Sequence, residues 1–193
     1  EGKTADLLAA PSRMRHQLDW AKPVSADADA RYVQTVDIDL ATLEPQVAKP
    51  HTFENVVPVS AVRGTKIDQA MIGSCANGNV DDIETVANVV RGRRVHAGTR
   101  LIVQPNSWGV YREASRRGYL GTLLDARAQV ISPGCYLCLG MQGALAVAHV
   151  CLTSSTRNHK GRMGSPKADI YLAGPATVAA SALAGHICDP TEV

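Results

Sequence analysis

No sign of charge dominates this chain of 193 residues: 20 Lys and Arg stand against 18 Asp and Glu, a formal net charge of +2. Both signs are spread along the sequence, which excludes the basic footprint of a nucleic-acid binder, and no nucleic-acid partner is expected. The densest basic stretch, Arg91-Gly92-Arg93-Arg94, falls at an expected helix end, where positive charge offsets the helix dipole. No apolar run approaches the roughly 20 residues that span a bilayer, and no apolar N-terminal segment resembles a signal peptide. No membrane partner is therefore expected, and the expected location is cytoplasmic. The five cysteines are an odd number, which argues against a disulfide framework and for free or metal-bound thiols in a reducing setting. The chain opens on Glu1 and not on Met, so a fragment, a processed chain or an excised domain is expected.

The length suits one compact α/β domain plus an arm and is marginal for two independent cores. Residues 1–58 are interrupted by Pro11, Pro23, Pro45, Pro50 and Pro58 and read as an extended N-terminal arm or linker. Only a helix through Met14–Trp20 and a moderately alternating strand through Tyr32–Leu40 stand out there. Residues 59–193 read as one α/β domain. From about Lys66 short apolar strands alternate with helical patterns. Strands are expected at Ala70–Ile72, Leu101–Val103, Gln129–Ile131, Val150–Thr153 and Asp169–Leu172. Helices are expected at Asp81–Arg91 (capped by Asn79 or Asp81), Trp108–Arg117, Leu139–Ala146 and Ala176–Leu183, with a short helical turn near Leu120–Ala126. Gly185 stops the last helix. Alternation of this kind predicts an α/β fold: a three-layer α/β/α arrangement with a mainly parallel sheet.

This reading places three cysteines together. Cys75, in Gly73-Ser74-Cys75-Ala76-Asn77, follows the first strand of the alternating region. Cys135 and Cys138, in Pro133-Gly134-Cys135-Tyr136-Leu137-Cys138, follow the third. The loop Thr153–Arg162 follows the fourth. Ligands of open α/β sheets bind beyond the carboxyl ends of the strands, so these segments converge on one edge.

Three thiolates can hold three irons of an iron–sulfur cubane and leave the fourth free for substrate, whereas an electron-transfer cluster normally uses four cysteines. A lone Cys-x-x-Cys also fits a redox pair or half a zinc site. The redox reading gives Cys75 no role. The zinc reading needs His149 or His159 as a further ligand, and neither shows the usual spacing. Cys151 and Cys188, in apolar surroundings, read as packing residues. Arg157 and Arg162, in a polar glycine-containing loop, suit planar carboxylates through paired hydrogen bonds. None of the histidines is singled out as an acid or base.

In order and spacing, Ile72–Asn77, Pro133–Gly140 and Thr156–Arg162 resemble the aconitase superfamily, most closely the large subunits of the isopropylmalate dehydratase and homoaconitase branch. Glu1-Gly2-Lys3-Thr4, Val36–Leu40 and Leu43–Ala48 also resemble segments of that family. The resemblance covers nearly the whole chain and corresponds to the third, C-terminal domain of the large subunit with the arm that enters it.

It implies a [4Fe-4S] cluster on Cys75, Cys135 and Cys138. It further implies substrate contacts from Arg157, Arg162, Thr156 and Asn77, and reversible dehydration of a small hydroxy di- or tricarboxylic acid. Thr156 stands where the family usually has asparagine, and Ala76 where it usually has threonine. The family's acid and base residues lie in preceding domains, and its catalytic serine in a swivelling domain or small subunit. The resemblance thus implies no catalytic residue within this chain, the remaining large-subunit domains and a small-subunit or swivel domain as partners, and no turnover by the chain alone. Two rivals remain at this point: a non-catalytic binding or regulatory module on the same fold, and a dithiol redox protein.

Overall fold

A computed structural model describes residues 26–193. The expected helix Met14–Trp20, Pro11, Pro23 and the Glu1–Thr4 segment lie outside the described residues. Contacts divide the chain into two units, Glu1–Leu43 and Glu44–Val193.

Within the first unit, residues 26–43 contain turns and bends and no strand, so the strand expected over Tyr32–Leu40 does not form. Val33, Val36, Ile38 and Leu40 are exposed. Alternation stabilises a strand only when a neighbour supplies ladder bonds and cross-strand contacts, and among the described residues none pairs with this segment. Asp39 closes a turn instead, its Oδ1 accepting from the Ala41 amide at 2.9 Å.

The second unit is built on a seven-stranded sheet. In chain order its strands are β1 (Gln46–Ala48), β2 (Val56–Pro58), β3 (Gln69–Gly73), β4 (Arg100–Gln104), β5 (Gln129–Val130), β6 (Val150–Thr153) and β7 (Asp169–Ala173). Their spatial order is β2-β1-β7-β6-β3-β4-β5. The pairs β3–β4, β3–β6, β4–β5 and β6–β7 are parallel, while β1 pairs antiparallel with β2 and β7. The sheet is therefore mainly parallel, and the hairpin β1–β2 joins its edge although it precedes the 58/59 boundary drawn from proline spacing.

The helices are α1 (Val80–Val90), α2 (Trp108–Arg116), α3 (Tyr119–Asp125) and α4 (Pro175–Ala184). Asn79 rather than Asp81 caps α1, in a reciprocal box with Asp82. Ser107 caps α2, its hydroxyl accepting from the Val110 amide at 3.3 Å. Pro175 opens α4 and Gly185, left-handed at φ 79°, ends it. α1 buries Ile83, Val86, Ala87 and Val90 on one stripe. α4 is buried nearly all round, so its small alanines let it lie close to β3 and α1.

These helical side chains join Ala70, Ile72, Leu101, Val103 and Leu152 of the sheet in one core cluster. The alternate residues Met71, Ile102, Cys151 and Ile170 face the other way and pack with Leu137, Cys138, Leu145 and Met163. Among the described residues that second face is covered by loops and a 3-10 turn, Leu137–Leu139, and not by an α-helix. The helix expected over Leu139–Ala146 is absent. Gly140 at φ 79° and Gln142 at φ 64° are left-handed, and a helix cannot continue through either. Topology accounts for the asymmetry. From β3 to β5 the chain steps outward, then returns to β6 on the opposite side of β3. Right-handed crossovers put the outward and returning connections on opposite faces.

Candidate metal centre

The reversal between β3 and β6 is the switch point of the sheet, where the two carboxyl ends open a crevice. Three segments meet there. After β3 the chain leaves through Gly73, at φ 113°, and Ser74, at φ 67°. A Cβ on Gly73 would stand 1.9 Å from the Gln104 carbonyl oxygen, so the close approach of β3 to the end of β4 requires glycine. The turn buries Ser74 and brings Cys75 to the surface. In the segment after β5, Gly134 lies under the Tyr136 ring: a Cβ there would sit 2.3 Å from Tyr136 Cε2. Cys135 and Tyr136 are exposed and Cys138 is buried.

The sulfurs of these loops come together. Cys135 Sγ lies 3.2 Å from Cys138 Sγ and 4.0 Å from Cys75 Sγ. Arg162 reaches the same point, Nη2 standing 3.9 Å from Cys138 Sγ. Its Nε is buried with no protein acceptor, a cationic donor left over beside three thiols. Neighbouring thiols, Cys138 foremost and then burial, push Cys135 up to about 11 from an ordinary 9.0. Each thiolate formed raises the cost of the next, a cost that a bound cation removes.

The other residues expected at the site fall into two groups. Asn77 is half-buried and its Nδ2 donates to the Ser154 carbonyl, tying the Cys75 turn to the loop after β6. Thr156 and Arg157 are exposed, and Arg157 Nη1 donates to the Thr156 carbonyl at 3.0 Å rather than to a thiol. The geometry thus gathers Cys75, Cys135, Cys138 and Arg162, ties Asn77 to Ser154 on the loop after β6, and leaves Thr156 and Arg157 exposed. Cys151 and Cys188 lie in the core.

Sequence reasoning missed three residues that hold the loops. Ser154 Oγ accepts from the Gly73 amide at 3.1 Å, while the Ser154 amide donates to the Met71 carbonyl at 2.9 Å. Asn158, fully buried, donates from Nδ2 to the Lys49 and Thr52 carbonyls at 2.9 and 3.1 Å, fastening the β1–β2 turn over the arginine loop. Phe53 of that turn meets His159 edge-on at 6.4 Å. Gln104, the polar residue that closes the apolar run Leu101-Ile102-Val103, is the third.

Among the described residues no three His, Cys, Asp or Glu side chains already surround a single-ion position. A cubane does not ask for one, since each cysteine holds a different iron. The donor set itself fits such a group: three thiols on two loops, open to solvent on the Cys75 and Cys135 side, with a guanidinium beside them and its Nε unpartnered.

Comparison with known proteins bears on the same segments. Residues 60–185 match the family described as "Aconitase family (aconitate hydratase)". The chain is 53% identical over 174 residues to the 3-isopropylmalate dehydratase large subunit of Mycolicibacterium smegmatis, an alignment covering 89% of this chain and 41% of that protein. It is 47% identical over 176 residues to the homoaconitase large subunit of Thermus thermophilus, covering 91% of this chain and 41% of the relative. A 3-isopropylmalate dehydratase large subunit of Archaeoglobus fulgidus is 46% identical over 172 residues, again with 41% of its length covered. The chain therefore spans about two fifths of the length of these relatives.

Proposed function

The chain belongs to the aconitase family, and on that premise we propose that it is the cluster-bearing, C-terminal part of a hydro-lyase acting on a small hydroxy di- or tricarboxylic acid. The observation that carries the reading is the meeting of Cys75, Cys135 and Cys138 at the sheet's switch point, with sulfur separations of 3.2 and 4.0 Å. In this reading the three thiolates hold a [4Fe-4S] cluster, which supplies a Lewis-acid iron able to make a substrate hydroxyl a better leaving group. Arg162, whose Nε lacks a protein acceptor, is positioned to balance the negative charge of thiolates or of an incoming carboxylate. Arg157, an exposed guanidinium on the same loop as Arg162, binds a second carboxylate of the substrate. Thr156 contributes a hydroxyl on the same loop. Asn77 acts through its bond to the Ser154 carbonyl, keeping the Cys75 turn against the arginine loop as substrate enters.

No general base is assigned within the chain. Proton removal beside a carboxylate falls to residues of the remaining large-subunit domains, and a small subunit or swivel domain closes the site. This reading expects no dehydratase turnover from the purified chain after anaerobic treatment with iron and sulfide. Turnover should arise only when the rest of a large subunit and a small subunit from a relative are supplied, followed as absorbance of the unsaturated acid. Hydratase activity from the chain alone would contradict the division of labour. Activity of the assembled mixture that survives Cys75→Ala would contradict the role of the thiols.

A further inference from the structure

We propose that Gln104 is a positioning residue that fixes the Cys135–Cys138 loop against the Cys75 turn. Gln104 ends β4 and its side chain is completely buried. The carboxamide has one donor end and one acceptor end, and the same loop uses both. Nε2 donates to the Ser132 carbonyl at 3.0 Å, just before the cysteine pair, and Oε1 accepts from the Leu137 amide at 3.1 Å, between the two cysteines. The backbone of the same residue faces the other cysteine segment: its carbonyl accepts from the Ser74 amide at 3.0 Å, next to Cys75. Gly73 packs against that carbonyl more closely than any side chain would allow.

One residue therefore contacts the neighbour of Cys75 and the peptide linking Cys135 to Cys138. Substitution of the side chain leaves the backbone bond to Ser74 in place and releases only the other loop. A hydrocarbon at this position can make neither side-chain bond, and leaves the buried Leu137 amide unpaired. Methionine fills nearly the same volume as glutamine and likewise makes neither bond. The inference rests on the reading that the three thiols act as one donor set.

The test titrates the iron-free full chain with cadmium, a soft ion that draws thiolates, and reads thiolate-to-cadmium charge-transfer absorbance and urea midpoint together. Cys151 and Cys188 are buried in the native fold and do not contribute. The native chain is expected to engage three thiolates per cadmium. Gln104→Leu is expected to lose the share of Cys75, lowering the absorbance per cadmium by about one third, as binding drops from three thiolates to two. Gln104→Met, an unbranched side chain of similar volume that makes neither bond, should show the same loss, and it carries the test if Gln104→Leu fails to fold. Three-thiolate absorbance retained by a folded Gln104→Leu chain or, where that variant does not fold, by Gln104→Met overturns the proposal, as does a native chain that never engages three. If the loss occurs as expected but the native chain takes up no iron and sulfide, the positioning role stands and the cluster reading alone falls.

Discussion

At Gly73 the backbone itself decides what the sequence can be. A methyl group there would penetrate the Gln104 carbonyl, and the residue's φ of 113° suits only glycine. Gly73→Ala is therefore expected to cost at least ~3 kcal/mol, read as a lowered urea midpoint, because strain and clash act together. Cys151 offers a pH-dependent counterpart. Burial on β6 pushes its thiol from 9.0 up to about 12. A raised value means that the folded state keeps its proton after the unfolded state has lost it. This contribution to stability is complete below about pH 9 and declines as pH rises toward about 12. Cys151→Ala should flatten the alkaline fall in urea midpoint; a fall as steep as in the native chain would refute the assignment. The meeting of the three cysteines was legible once each was placed after a strand of the alternating region, since ligand-binding loops gather at the carboxyl ends of such strands. Gln104 was not, because its partners Ser132 and Leu137 lie 28 and 33 positions away and meet it only once the sheet has formed.

Elements were legible where a local period sufficed. The strands β3, β4, β6 and β7 and the helices α1, α2 and α4 stand within one residue of their expected bounds at every end. Each carries its own apolar stripe or run, as in the Ile83, Val86, Ala87 and Val90 set of α1. Failures came where local pattern and topology disagreed. Residues 139–146 look helical by composition, yet Gly140 and Gln142 are left-handed and the segment becomes part of a returning connection across the second face. Tyr32–Leu40 alternates but finds no ladder partner among the described residues. β1 and β2 were missed because three-residue strands leave no period to read. Ile83, fully buried between α1 and the sheet, tests the helical layer. Ile83→Ala should destabilise the chain by about 2–5 kcal/mol through lost burial and a residual cavity, measured by urea denaturation. A change under about 0.5 kcal/mol, as at an exposed position, would show that α1 is not packed as described.

For the molecule as a whole, the family was carried by three linked motifs, and the match over residues 60–185 agrees with them. Partners and substrate were less accessible, since the chain spans 41% of the length of its relatives and the groups that select a substrate need not lie on it. Among the described residues no helix is long and apolar enough to cross a membrane. Cluster binding requires one property of the assembled fold: thiols from two loops, brought side by side by the switch in strand order, bind as a single set. Iron and acid-labile sulfide counted per chain after anaerobic reconstitution measure that directly. The prediction is about four of each in the native chain, as a cubane requires, and loss of both from Cys75→Ala as from Cys135→Ala. Full iron and sulfide content retained without Cys75 would contradict it.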